Sequence, residues 1–171
     1  MGVNTPARVF IALGSNIAPR TDRLARARAL LRQVSAGGWK ESLIYETPPV
    51  GPEGQEPYFN QVLSFWTTLP ALRLLHYLKG CELVLGRQKR GRWESREVDL
   101  DLLYWGESIE HKALTLPHPR LHERQFVLIP FCDIDPDWMD PLSARSAQEL
   151  LEALQAKEGA YRFRVVGERE D

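Results

Sequence analysis

Residues 96–105 read Arg96-Glu97-Val98-Asp99-Leu100-Asp101-Leu102-Leu103-Tyr104-Trp105. The alternation of polar and apolar side chains predicts a strand over Glu97–Trp105, ended by Gly106. Successive strand residues point to opposite faces, so Val98, Leu100 and Leu102 suit a core. Asp99 and Asp101 then share the other face, roughly 6–7 Å apart. Two neighbouring carboxylates repel unless a cation lies between them or one is protonated. Hard oxygen ligands at this spacing suit Mg²⁺, which keeps several waters and bridges to substrate phosphates. The bland alternative is a solvent-facing pair neutralised by Arg96 and its neighbours.

Upstream, Arg87, Lys89, Arg90, Arg92 and Arg96 stand against a single Glu94. Arginine forks suit phosphate oxygens, and phosphoryl transfer is largely positioning and charge neutralisation. Trp93, inside this run, could stack over an aromatic ring. A solvated charged loop is the other reading. Glu82 lies four residues beyond Leu78 and three before Leu85, on the apolar stripe of a helix. A carboxylate there is either paired with a buried cation or holds a ligand.

Outward from this strand, the chain reads as β-α-β-β-α-β with additions. Val9–Leu13 is a short apolar run halted by a turn at Gly14-Ser15-Asn16. From Pro19 to Val34, Leu24, Ala27, Leu30 and Leu31 recur at helical spacing, ending at Gly37-Gly38. Ser42–Glu46 is strand-like and runs into a loop from Thr47 to Pro57 holding four prolines and two glycines. A loop that long in a compact domain is usually functional. Tyr58–Thr68 is strand-like, and Pro70 opens a helix running to Gly86. Ser146-Ala147-Gln148-Glu149 is a capping box for a late helix, and Tyr161, Phe163 and Val165 alternate as a closing strand. The order is ferredoxin-like: an α+β fold with helices on one face of a mainly antiparallel sheet and the other face free for ligands.

The 171 residues are expected to form one domain, 1–171, with 43% hydrophobic and 26% charged residues. A net charge of −1 argues against bulk electrostatic binding of nucleic acid. The longest apolar runs, such as Phe126–Phe131, are too short to span a membrane. No charged-then-apolar signal segment opens the chain, and Cys81 and Cys132 read as two buried reduced thiols, so a cytoplasmic protein is expected. His118 and His122 are four apart, but flanking Pro117 and Pro119 disfavour a helical zinc site. A phosphate contact from His118, with Arg124 nearby, is more plausible. Tyr58 and Asn60 share a strand face, an aromatic beside an amide, as a planar heterocycle would require.

Five blocks in order resemble the 6-hydroxymethyl-7,8-dihydropterin pyrophosphokinases of folate biosynthesis. They are Ala12–Asn16, Tyr45–Pro52, Tyr58–Gln61, Arg92–Asp101 and Leu116–Leu128. The resemblance implies transfer of pyrophosphate from ATP to the pterin hydroxymethyl group, with AMP released. It implies that Asp99 and Asp101 hold two Mg²⁺ ions, with Arg87, Arg92 and Arg96 on the phosphates. Glu82, Leu102, Leu114, Thr115, His118 and Arg124 would serve ATP. The pterin would lie between Tyr58 and Phe126, read by Asn60 and by backbone around Thr47, Pro48 and Val50. Trp93 would close the site, and Asp99 would border the pterin. Glu94 and Pro119 depart from the family pattern, which has a small residue and, in some members, an aromatic there. Two other classes share parts of this pattern: a metal-dependent phosphate-ester hydrolase, and a non-catalytic RNA-binding module, which the carboxylates on the sheet face would repel. ATP and the pterin are the expected partners, with no nucleic acid or membrane, and the chain is expected to be a monomer.

Overall fold

The computed structural model describes residues 5–49, 54–88, 95–107 and 109–167. The elements in chain order are β1 (Ala7–Ser15), α1 (Arg20–Arg32), β2 (Gly37–Glu41), β3 (Tyr45–Thr47), β4 (Tyr58–Thr67), α2 (Ala71–Val84) and β5 (Asp99–Trp105). They continue with β6 (Ile109–His111), β7 (Leu114–Leu116), α3 (Gln125–Ile134), α4 (Ala147–Glu158) and β8 (Arg164–Val165). The main sheet runs β5-β1-β4-β3-β8, with β2 also on β4, and all its pairs are antiparallel. This is the ferredoxin-like order expected from the sequence.

Strand alternation divides two cores. Val9, Ile11, Leu13, Leu63, Phe65, Leu100 and Leu102 face α1 and α2, where they meet Leu24, Leu31, Leu74 and Leu78. Phe10, Val62 and Leu103 face the opposite way, against Val127, Leu128 and Phe131 of α3 and Leu150 and Leu154 of α4. Phe10 stacks on Phe131 with centroids 4.3 Å apart, and Trp138 packs at 5.1 Å from Phe131. Helices therefore cover both faces of the sheet, where the sequence suggested one free face. At the ends of β1, β4 and β5 that face lines a cavity.

Four further differences have local causes. β1 does not stop at Leu13 but runs through Gly14 to Ser15, because Gly14 pairs in register with both Asn60 and Asp99. Gly37 and Gly38 begin β2 rather than only ending the helix. Both have positive φ, and a Cβ on Gly38 would stand 2.4 Å from Trp66 Cδ1. Of the strand expected over Ser42–Glu46 only Tyr45 and Glu46 form one, in β3; β2 ends at Glu41, and the chain breaks after it where Ser42 Oγ, rather than a backbone carbonyl, accepts the Val62 N–H at 2.9 Å. Helix α3, with Pro130 inside it, was read from sequence only as an apolar run. The capping box at Ser146 and Glu149 is formed in both directions. Cys81 is buried as expected, whereas Cys132 is half-buried. No helix among the described residues is long and apolar enough to cross a membrane.

The turn from α3 to α4 is organised by Asp140, which is fully buried. Its carboxylate accepts from Ser143 N at 2.9 Å and Ser143 Oγ at 2.5 Å, and faces His122 Nε2 at 3.1 Å. Burial pushes this carboxyl up, but the Ser143, Leu142 and His122 hydrogen bonds outweigh it and hold it below the ordinary value. A depressed folded pKa contributes stability above the unfolded value and loses it as pH falls through the folded one. Asp140→Asn is thus expected to cost about 2 kcal/mol near neutrality. Denaturant titrations from neutral to acidic pH should show the gap closing as the wild-type carboxylate protonates.

Candidate active site

The open end of the sheet forms the floor of a cavity of about 190 Å³. Ala12 pairs with Asp101, and Gly14 lies between Asp99 on β5 and Asn60 on β4. The floor is therefore two small residues, with the carboxylates on one side and Tyr58 and Asn60 on the other. A Cβ on Gly14 would come within 3.3 Å of Asn60 Oδ1 and 3.8 Å of Tyr58 Cδ1, so any side chain there would enter the cavity. Asn60 Nδ2 donates to Thr47 Oγ1 at 2.7 Å, which fixes the amide with its oxygen over Gly14. Thr47 and Pro48 form one wall, and Phe126 and Arg124, at the start of α3, form another. Burial raises the Tyr58 hydroxyl above its ordinary pKa despite Arg96 nearby, so the ring is neutral at physiological pH.

Cations crowd the carboxylate side. Asp99 receives Arg87 Nη1 at 2.8 Å and Arg96 Nη1 at 2.7 Å. Burial raises the Asp99 carboxyl, but Arg96, Arg87 and Lys79 together outweigh it and hold the group below the usual carboxylate range. Asp101 receives Arg124 Nη1 at 3.3 Å. Arg96 is fixed by its backbone: its N–H donates to Asn16 Oδ1 at 2.7 Å, while Asn16 Nδ2 donates to Glu56 O and Ser95 Oγ, each at 3.2 Å. Asn16 thus joins the end of β1 to the proline-rich loop and to the segment before β5.

On the outer side of β5 lies a second cavity of about 310 Å³, between that strand, α2 and the β6–β7 hairpin. Leu102, Leu114, Thr115 and His118 line it, as do Lys79 and Lys112. Asp101 borders both cavities. The His118 Nδ1 accepts from the Arg120 N–H at 3.1 Å, which leaves the proton of a neutral ring on Nε2. Burial, with Arg124 and Arg120, lowers its pKa against the opposing pull of Asp101 and Asp99, so the neutral form prevails at physiological pH.

Among the residues singled out from sequence, Thr47, Pro48, Tyr58, Asn60, Arg96, Asp99, Asp101, Arg124 and Phe126 meet around the first cavity. Arg87 reaches it through Asp99. Glu82 lines neither cavity: it is buried behind β5, 3% exposed, and accepts from Leu100 N at 2.8 Å. Its carboxylate pairs with the exposed Lys79 at 2.9 Å and is in direct contact with the partly buried Arg87. His122 turns away to Asp140, apart from His118. Val50, Arg92, Trp93 and Glu94 lie outside the described residues. The sequence reading missed Ala12 and Gly14, although their i, i+2 spacing on β1 was a signal. Arg120, Lys79 and Lys112 were also missed; nothing local marked Arg120 or Lys112, whereas Lys79 stands three residues before Glu82 on the same helix.

Among the described residues no three His, Cys, Asp or Glu side chains gather as a metal cage. The donor set nevertheless fits Mg²⁺, which needs only one or two carboxylates when phosphates complete its shell. Asp99 and Asp101 present hard oxygens on one strand face beside an arginine-rich wall.

The fold is ferredoxin-like, and its cleft sets two carboxylates of one strand among arginines, a lysine pair and a histidine. Residues 10–136 match the model of the 7,8-dihydro-6-hydroxymethylpterin-pyrophosphokinase (HPPK) family. A 2-amino-4-hydroxy-6-hydroxymethyldihydropteridine pyrophosphokinase of Bacillus subtilis is 41% identical over 157 residues, covering 90% of this chain and 94% of its own. One from Aquifex aeolicus is 35% identical, covering 84% of this chain and 89% of its own. An HPPK-DHPS structure from Plasmodium falciparum superposes with a TM-score of 0.70 at 12% identity over 92% of this chain, a likeness of fold. This chain spans 44% of that longer one. The chain belongs to the 7,8-dihydro-6-hydroxymethylpterin-pyrophosphokinase family, whose curated relatives are named as pyrophosphokinases.

Proposed function

We propose that this protein transfers the pyrophosphoryl group of ATP to the hydroxymethyl oxygen of 6-hydroxymethyl-7,8-dihydropterin in folate biosynthesis, releasing AMP. The observation that carries this reading is that Asp101 borders two cavities of different character. One, with an aromatic pair and a fixed amide, suits a flat heterocycle. The other, with lysines, His118 and an apolar floor, suits a nucleotide. The reacting groups then meet at β5.

In this reading the pterin lies between Tyr58 and Phe126, with its edge read by Asn60 and by backbone at Thr47, Pro48 and Val50. Leu102, Leu114 and Thr115 hold the nucleotide, and Glu82 supports that wall from behind through Lys79. The His118 Nε2–H donates to a phosphate oxygen, a role that a neutral ring retains. Arg87, Arg92, Arg96 and Arg124 neutralise the triphosphate, and Trp93 helps to exclude water. Asp99 and Asp101 would hold two Mg²⁺ ions, which supply charge neutralisation along the triphosphate. The hydroxymethyl oxygen attacks the β-phosphorus in line, the bond from that phosphorus to the α-bridging oxygen breaks, and AMP leaves. Among the described residues Asp99 is the candidate base by position for the hydroxymethyl proton, and its depressed pKa makes it a weak one. Positioning and charge neutralisation therefore carry the rate. Residues 1–171 would act as a single domain, as a monomer in the cytoplasm, with no nucleic-acid or membrane partner.

Mass spectrometry of the pterin product tests the reading. A diphosphate ester is expected. A monophosphate ester, or an unmodified pterin with ATP hydrolysed, would overturn it.

A further inference from the structure

Five charged side chains alternate through the wall between the two cavities: Lys79, Glu82, Arg87, Asp99 and Arg96. Glu82 is the buried centre of the group. One oxygen accepts from Lys79 Nζ at 2.9 Å and from the Leu100 N–H at 2.8 Å, and the other pairs with Arg87. The same Arg87 Nη1 lies 2.8 Å from Asp99 Oδ1. Arg87 is therefore shared between a carboxylate that touches neither cavity and one that lines the first.

This sharing matters because a metal ion that takes an Asp99 oxygen competes for its lone pairs with the arginines already bound there, Arg87 on one oxygen and Arg96 on the other. A cation that takes the Arg87-bound oxygen weakens that contact, and a half-buried guanidinium loosened from Asp99 is costly unless a second carboxylate holds it. With Glu82 in place, Arg87 keeps a carboxylate throughout. The Leu100 N–H contact also ties Glu82 to the residue between Asp99 and Asp101. We propose that Glu82 is a positioning residue that retains Arg87 when Asp99 takes a divalent cation, and so sets the Mg²⁺ requirement of the site. The inference rests on the reading of Asp99 and Asp101 as Mg²⁺ ligands.

Glu82→Gln separates the charge from the hydrogen bond, since glutamine keeps an acceptor for the Leu100 N–H. Binding of α,β-methylene-ATP, which cannot transfer its pyrophosphoryl group, would be measured by calorimetry across Mg²⁺ concentrations. The half-saturating Mg²⁺ concentration is expected to rise about tenfold in Glu82→Gln, with the thermal midpoint little changed. In an Arg87→Gln background the same substitution should produce no rise, because the competing guanidinium is gone. An unchanged Mg²⁺ requirement in Glu82→Gln, or an equal rise in both backgrounds, would overturn the proposal. A merely structural role would lower the thermal midpoint without moving the Mg²⁺ requirement.

Lys79→Met gives an independent arm of opposite sign. Glu82 would then draw Arg87 more strongly, so at saturating analogue the Mg²⁺ requirement should fall below that of the wild type. A rise or no change there would count against the proposal even if Glu82→Gln did not fold. If wild-type protein bound the analogue equally well without Mg²⁺, the metal-ligand reading itself would fail, a result distinct from a missing Glu82 effect.

Discussion

Replacing Asp101 with alanine is expected to lower kcat by about 10³-fold or more while leaving the protein folded. The side chain points into the cleft, where its described partner is Arg124 at 3.3 Å, and it takes no part in either hydrophobic core. Its neighbours Leu100 and Leu102 carry the packing of β5 on the opposite face. The thermal midpoint should therefore move by only about 2–4 °C. Steady-state kinetics beside a melting curve make the comparison. A folded Asp101→Ala protein with normal turnover would contradict the role given to the carboxylate pair.

Gly14→Val is expected to act on the other substrate. Gly14 has an ordinary extended conformation inside β1, so the backbone accepts valine without strain, and neighbouring β1 residues already include Val9 and Ile11. The new side chain would instead occupy the floor between Asn60 and Tyr58, where even a Cβ would stand 3.3 Å from Asn60 Oδ1. Pterin binding should weaken by about 100-fold or more, since losing a well-packed ring costs several kcal/mol. Nucleotide binding should be nearly unchanged, because Gly14 does not border the second cavity. Separate titrations with each substrate distinguish the two effects. Equal loss of both would point to a distorted sheet rather than a filled floor.

The parts of this molecule that depend on local periodicity were legible in the sequence. The alternation of Val98 to Leu102 placed both aspartates on one face and the apolar residues in the core, where Val98 and Leu100 are fully buried. The Ser146–Glu149 capping box likewise needs only its own four residues. Helix α3 was not legible, because Phe126 to Phe131 is apolar almost throughout and contains Pro130, so neither helical nor strand periodicity stands out. Its burial between the sheet and α4 makes a polar face unnecessary. The covering of the second sheet face was missed for the same reason.

The site follows the same division. Tyr58, Asn60 and the aspartates are read from strand faces, but the sharing of Asp101 by two cavities arises only when β5 meets the β6–β7 hairpin. Glu82 shows both halves. Its anomalous place on an apolar stripe was visible, and Lys79 three residues before it was within reach of helical spacing, while Arg87 and Leu100 belong to segments that the helix pattern does not reach.

The central claim, pyrophosphoryl transfer at β5, is tested most directly by measuring AMP formed from ATP and Mg²⁺ with and without 6-hydroxymethyl-7,8-dihydropterin. AMP should appear only when the pterin is present, one molecule for each pterin diphosphorylated. Release of ADP or inorganic phosphate instead, or AMP formed regardless of the pterin, would contradict it.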